Sequence, residues 1–224
     1  DFAGGNAPTA TVIVDGPGSA IHLSGNDAAG NAAGGSNFDG GTGTVTLRNG
    51  AAVTMSAPAA TLGGPGWILG RNAGGSGTLN VETGATVTVT GNSHGGGFTV
   101  GRSTTGTINV TGSGSTVLID GSAAGAFSGL LLGDTATGNG SVNVQSGGAV
   151  TIKTNPSGGG FTVGQSGAGT INVSGSGSTM LIDASAPGAA TSLVFGQNAG
   201  STGALNISDG ATFTLDRNGP APCC

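Results

Sequence analysis

GGGFTVGRSTTGTINVTGSGSTVLIDG, residues 95–121, recurs as GGGFTVGQSGAGTINVSGSGSTMLIDA at residues 158–184, an offset of 63. Between the two copies, residues 130–154 read LLLGDTATGNGSVNVQSGGAVTIKT, a variant that returns at 193–217 as LVFGQNAGSTGALNISDGATFTLDR. The 63-residue period therefore holds two units of 31–32 residues. Each unit offers three short runs in which apolar and polar residues alternate, such as Phe98-Thr99-Val100, Ile108-Asn109-Val110 and Val117-Leu118-Ile119. A period of two in segments rich in Gly, Val and Thr predicts strands and makes helix a poor alternative.

Working outward, first strands begin at Trp67, Phe98, Leu130, Phe161 and Leu193. Phe2 lies 96 residues before Phe98, and with that offset Val12, Val14, Ile21 and Leu23 fall on Ile108, Val110, Val117 and Ile119. A unit around 32–55 carries Val45, Leu47, Val53 and Met55 but only a weak first strand. Seven units fill the chain. Because strand residues alternate sides, the outer members of each triplet form inward rows such as Leu79, Ile108, Val142, Ile171 and Leu205. One unit cannot bury such a row alone, whereas stacked units bury it as a continuous column. The prediction is an all-β fold, a parallel β-helix (β-solenoid) of seven coils over residues 1–216, followed by a Pro/Cys tail at 217–224.

Glycine placement fits stacked coils. One column follows the first strand at Gly5, Gly70, Gly101, Gly133, Gly164 and Gly196, where a shared corner needs positive φ or has no room for Cβ. A second column, Gly77, Gly106, Gly140, Gly169 and Gly203, is expected in the next turn. The link from strand two to strand three spans six positions in Val81→Val87 and seven in Val110→Val117, and the two lengths alternate from Trp67 onward. The extra residue predicts a bulge-like corner.

Composition bounds the function. Gly makes up 50 of 224 residues, charged residues 7% and aromatics 4%, a bias that would suggest disorder were the mean hydropathy not positive. Five Lys and Arg cannot track a phosphate backbone, so no nucleic-acid partner is expected. No apolar run reaches the ~20 residues of a membrane helix, so no membrane span is expected either. The chain starts at Asp1 without Met, as a processed or excised product would. Most of the acids are scattered over turns. Asp120 and Asp183, equivalent by repeat, should stand about 10 Å apart along the axis, beyond the ~5–9.5 Å separation of glycosidase carboxylates. His22 and His94 fall at different places in the repeat, without a ligand cluster. The expectation is no enzyme, no cofactor and no metal. Arg102 and Asp134, at equivalent turn positions, should pair at the surface.

The central residue of each strand points outward. On strand two this gives the column Asn80, Asn109, Asn143, Asn172 and Asn206, which predicts an amide ladder at the ~4.8 Å inter-strand spacing. Flanked by Thr107, Thr111, Thr170 and Ser174, the same column makes a hydroxyl-and-amide array suited to a glycan or to ice. Outward Ile68, Leu131 and Val194, with Leu118 and Leu181, are candidate lateral contacts unless loops such as 123–127 cover them.

The motif VGxxxxGTxNVxGxGSTxxID, with its Gly-Ala-Thr-Val companion, resembles repeats of bacterial autotransporter passengers and related extracellular β-helical adhesins. The resemblance covers nearly the whole chain. It implies secretion, a cell-surface or matrix location, and a role in adhesion or assembly. A passenger precedes a membrane barrel that this sequence lacks, which points to a stand-alone fibre subunit.

Neither end of the repeat offers a distinct polar cap, and a solenoid end exposes unpaired backbone groups. Stacking of the last coil on the first coil of the next copy would satisfy both ends and propagate as a filament. Pro220 and Pro222 would hold Cys223 and Cys224 off the body as a crosslink between tails. The functional expectation is a self-assembling extracellular structural protein, a head-to-tail homopolymer with lateral bundling. The alternative is a glycan- or surface-binding adhesin module, with ice binding as a third reading.

Overall fold

A computed structural model describes residues 9–24, 35–37, 41–56, 66–91, 97–123, 126, 128–155, 159–186, 189 and 191–217. Its architecture is a parallel β-solenoid with three sheets running along the stack. Sheet 1, from the first strands, contains Gly35–Asn37, Gly66–Leu69, Gly97–Val100, Ser128–Leu132, Gly159–Val163 and Thr191–Phe195. Sheet 2 contains Thr9–Asp15, Thr42–Arg48, Ser76–Glu82, Thr105–Thr111, Asn139–Gln145, Ala168–Ser174 and Thr202–Ser208. Sheet 3 contains Ala20–Ser24, Ala52–Ser56, Thr86–Thr90, Thr116–Asp120, Ala149–Lys153, Thr179–Ala184 and Thr212–Arg217. Every strand pairs in parallel with its counterpart one coil away, and the repeat alignment is the pairing register: Leu79, Ile108, Val142, Ile171 and Leu205 are consecutive partners. The first strand expected at Phe2 lies outside the described residues.

Alternation decides the packing. In Thr105–Thr111, Gly106, Ile108 and Val110 are buried while the residues between them face out. The same pattern holds in the other two sheets, so Val100, Val110 and Ile119 converge on one core that runs through the coils. Trp67 and Phe98 stack edge to face in that core, with centroids 5.9 Å apart.

The first corner explains both glycine columns. Gly101 has φ +70°, and a Cβ there would lie 2.3 Å from Asn139 of the next coil. Gly106 has ordinary strand φ, but a Cβ on it would lie 2.2 Å from the Gly101 nitrogen and 2.6 Å from the Leu69 oxygen. The second column is thus not in a turn. It sits inside strand two and faces inward, because the corner backbone folds directly over it and leaves no space for a side chain.

The second corner comes in the two expected lengths, built differently from a bulge. In the short form, Asn49-Gly50, Thr83-Gly84, Ser146-Gly147 and Asp209-Gly210 all have positive φ, and a turn bond closes each, such as Ala85 N–H to Glu82 O at 3.1 Å. In the long form the extra residue is absorbed in Gly112-Ser113-Gly114, with φ of +93° and +80° at the glycines, while the flanking strands stay paired without a break. A β-branched residue is ill suited to the left-handed region, whereas Asn tolerates it. Thr83, at φ +52°, is therefore strained where the equivalent Asn49 is not. Thr83→Asn is expected to raise the free energy of unfolding in urea by about 0.5–1 kcal/mol. A loss of stability would show that the Thr83 side chain holds the corner.

Candidate functional site

The outward face of sheet 2 carries the amide ladder. Asn109 Nδ2 donates to Asn80 Oδ1, Asn143 to Asn109, Asn172 to Asn143 and Asn206 to Asn172, each at 2.8 Å. Asn80 Nδ2 donates to Thr46 Oγ1 at 3.2 Å, so the run extends one coil beyond the asparagines. In-register stacking brings identical amides to hydrogen-bonding distance. Ile13 takes the place of the amide in the first coil and is 56% exposed. Beside the ladder, Thr11, Thr44, Thr78, Thr107, Ser141 and Thr170 form a hydroxyl column in register.

A second polar device runs inside the corner and has no counterpart among the sequence expectations. Ser115, fully buried, accepts the Gly84 N–H of the preceding coil at 3.0 Å and donates to its own Thr111 carbonyl at 2.8 Å. Ser178 repeats this with Gly147 at 3.0 Å and Ser174 at 2.7 Å. The GSGST string held the signal, since the serine before the last Thr recurs only in long corners. At the third corner the buried Asn155 amide donates to Gly121 O at 2.6 Å and Ala126 O at 2.9 Å, and also to Ala123 O.

Charges sit at strand ends and in corners. Asp120 and Asp183 flank Lys153 in register, and Asp216 follows Asp183, so the two acids that the repeat relates have a lysine between them. Burial of Asp120 raises its pKa, but bonds from the Ser122 hydroxyl and N–H, with the nearby Lys153 charge, outweigh this and hold it below the usual carboxylate range. Arg102 and Asp134 pair at 3.4 Å across adjacent coils.

At the other end Asp15 accepts from the Asn49 amide at 2.8 Å and from Arg48 Nε at 2.9 Å, and these bonds lower its pKa, the Asn49 bond most. A carboxyl whose pKa is lower folded than unfolded adds stability that is complete above the unfolded pKa, about 3.9, and lost as pH falls through the folded value. Asn49→Ala is expected to move the Asp15 titration upward in carbon-detected NMR, leaving Asp120 in place. An unmoved Asp15 would shift the credit to Arg48.

Among the described residues, no three His, Cys, Asp or Glu side chains converge as metal ligands, and no helix is long and apolar enough to cross a membrane. His22 Nδ1 lies 2.6 Å from Thr54 Oγ1 on sheet 3, while His94, Cys223, Cys224 and most of the loop 123–127 lie outside the described residues. Leu118, Leu131, Ile68, Val194 and Leu181 are half-buried.

The last coil differs from those beneath it. Its inward side chains continue the core rows, yet Ile207 is 48% and Phe195 38% exposed, where their in-register partners Val173 and Val163 are 0% and 1%. Leu193, Leu205, Phe213 and Leu215 are only partly buried. No protein-family model, curated protein or solved structure matches the chain.

Proposed function

We propose that this chain is an extracellular structural subunit that assembles end to end into a filament. The observation that carries the reading is the exposed inward row of the last coil, with Phe195 and Ile207 foremost. The three strands of that coil also form a sheet edge apiece, a template for another chain.

A second copy is the partner that best fits this end. Aligned coil on coil, Leu205, Ile207, Phe213 and Leu215 meet Val12, Val14, Ile21 and Leu23, apolar against apolar throughout. The last coil has a short second corner and the first a long one, so the joint continues the alternation of the later coils. The contact is heterologous and does not close, which yields a polar fibre. Secretion and a surface or matrix location belong to the same proposal and rest on the likeness to passenger and adhesin repeats.

One feature makes the joint looser than internal contacts. Ala10 pairs with Gly43 and stands in the inward column that is Gly77, Gly106, Gly140, Gly169 and Gly203 above it. A Cβ at Gly203 would meet Val163 O of the preceding coil at 2.2 Å, and for Ala10 the corresponding atom is Phe195 O of the preceding copy. Negative-stain microscopy is expected to show unbranched fibres, longer with Ala10→Gly and reduced to particles one molecule long with Ile207→Lys. Single rods of the unaltered protein at every concentration would sink the proposal. If removal of residues 218–224 then produced fibres, the chain's own tail would be the natural cover.

A further inference from the structure

We infer that the outward face of sheet 2 is a lateral contact surface at which two copies of this chain pair side by side. Its four outward columns include Thr9 to Thr202, Thr11 to Ala204 and Ile13 to Asn206, which holds the Asn ladder, all uncharged in every coil. Only the fourth column carries charge, as Asp15, Arg48 and Glu82, at one margin of the first three coils. Over the last four coils that column is Thr111, Gln145, Ser174 and Ser208.

Hydroxyls and amides are donors and acceptors at once, so a face made of them is complementary to itself. The ladder takes one N–H and one acceptor site from each internal amide and leaves the others free to bond outward. Sheets that stack face to face across dry polar zippers use this chemistry, with Asn ladders adding to it. A two-fold contact asks for such a self-complementary patch.

Size decides among the three faces. Seven strands at ~4.8 Å and seven residues at ~3.3 Å give a rectangle of roughly 780 Å², close to the ~800 Å² each partner contributes to a stable pair. Sheet 3 is narrower, with strands of five or six residues, and has Asp120, Lys153, Asp183 and Asp216 along it. Sheet 1 is narrower again, with strands of three to five residues. The face has no outward aromatic ring, unlike the aromatic-lined pockets that take small ligands.

This inference shares with the filament only its partner, a second copy, and the readouts are separate: end contacts set particle length and lateral pairing sets width. The test compares the unaltered chain with Thr107→Lys/Thr170→Lys on sheet 2 and Thr88→Lys/Thr151→Lys on sheet 3, by electron microscopy and sedimentation velocity. All four threonines are half-buried and outward. The unaltered chain and the sheet 3 variant should be two solenoids wide. The sheet 2 variant should be one solenoid wide, at unchanged length, with pairing at least ten-fold weaker. Mixing it with Thr107→Glu/Thr170→Glu should restore double width, which separates lost pairing from lost folding. Single width of the unaltered chain, or equal loss in both lysine variants, overturns the inference. So does a single-width chain retained on an immobilised neutral polysaccharide through Thr107 and Thr170, which would assign the face to a glycan. Paired but short particles would retain the lateral contact and sink the filament alone.

Discussion

Gly106→Ala is expected to cost more than about 3 kcal/mol, a large share of the ~5–15 kcal/mol that keeps an ordinary domain folded. The added methyl group would lie 2.2 Å from one backbone nitrogen and 2.6 Å from a carbonyl of the neighbouring coil. Backbone on both sides gives it no flexible side chain to displace, so the first corner must open. Gly160→Ala should do the reverse. Gly160 lies in a first strand with ordinary φ, and a Cβ there meets nothing within 4 Å. Restricting the unfolded chain should then stabilise by about 0.4–1 kcal/mol. Equal effects of the two substitutions in urea denaturation would show that strand propensity, not the crossing of backbone at the corner, requires glycine in this column.

Ile171→Ala and Ile207→Ala remove the same atoms and should differ several-fold in effect. Ile171 is 1% exposed, with a coil above and below, so its truncation leaves a void and should cost about 2–5 kcal/mol. Ile207 is 48% exposed in the last coil, and its truncation should cost the single molecule under about 1 kcal/mol. If copies join end to end as proposed, the ranking should change at fibre-forming concentrations, because Ile207 would then be an interior residue of the joint. Denaturation of dilute protein together with the critical concentration for assembly reads both quantities. A large loss at Ile207 in dilute protein would mean that it is already covered in the single chain.

The architecture was legible because a solenoid writes its register directly into its period. Aligning Leu79, Ile108, Val142 and Ile171 as text is the same operation as pairing them as strands, and the coil spacing follows without a search over topologies. Gly106 was placed wrongly for a physical reason. Glycine has no side chain to declare a face, so an inward glycine at a strand start looks like the end of a turn. Ser115 was missed because a hydroxyl in a Gly/Ser/Thr string suggests solvent, and its inward bond to Gly84 depends on two corner types lying one over the other. The Asp15, Arg48 and Asn49 cluster escaped likewise, since it joins residues 33 and 34 positions apart across one coil boundary. Partners are a harder matter. A repeat specifies what each coil wants above and below it, but its outward residues need only be compatible with water.

The asparagine run has an electrical consequence. Each of its amides donates toward the preceding coil, and all but Asn206 accept from the following one, so the five group dipoles point the same way. Aligned dipoles add, as peptide units do in a helix, and each bond polarises the next. The rod therefore has a direction in the field it casts as well as in its chain. The final carbonyl oxygen, on Asn206, brings the negative pole to the C-terminal tip, where it attracts whatever donor comes to rest there.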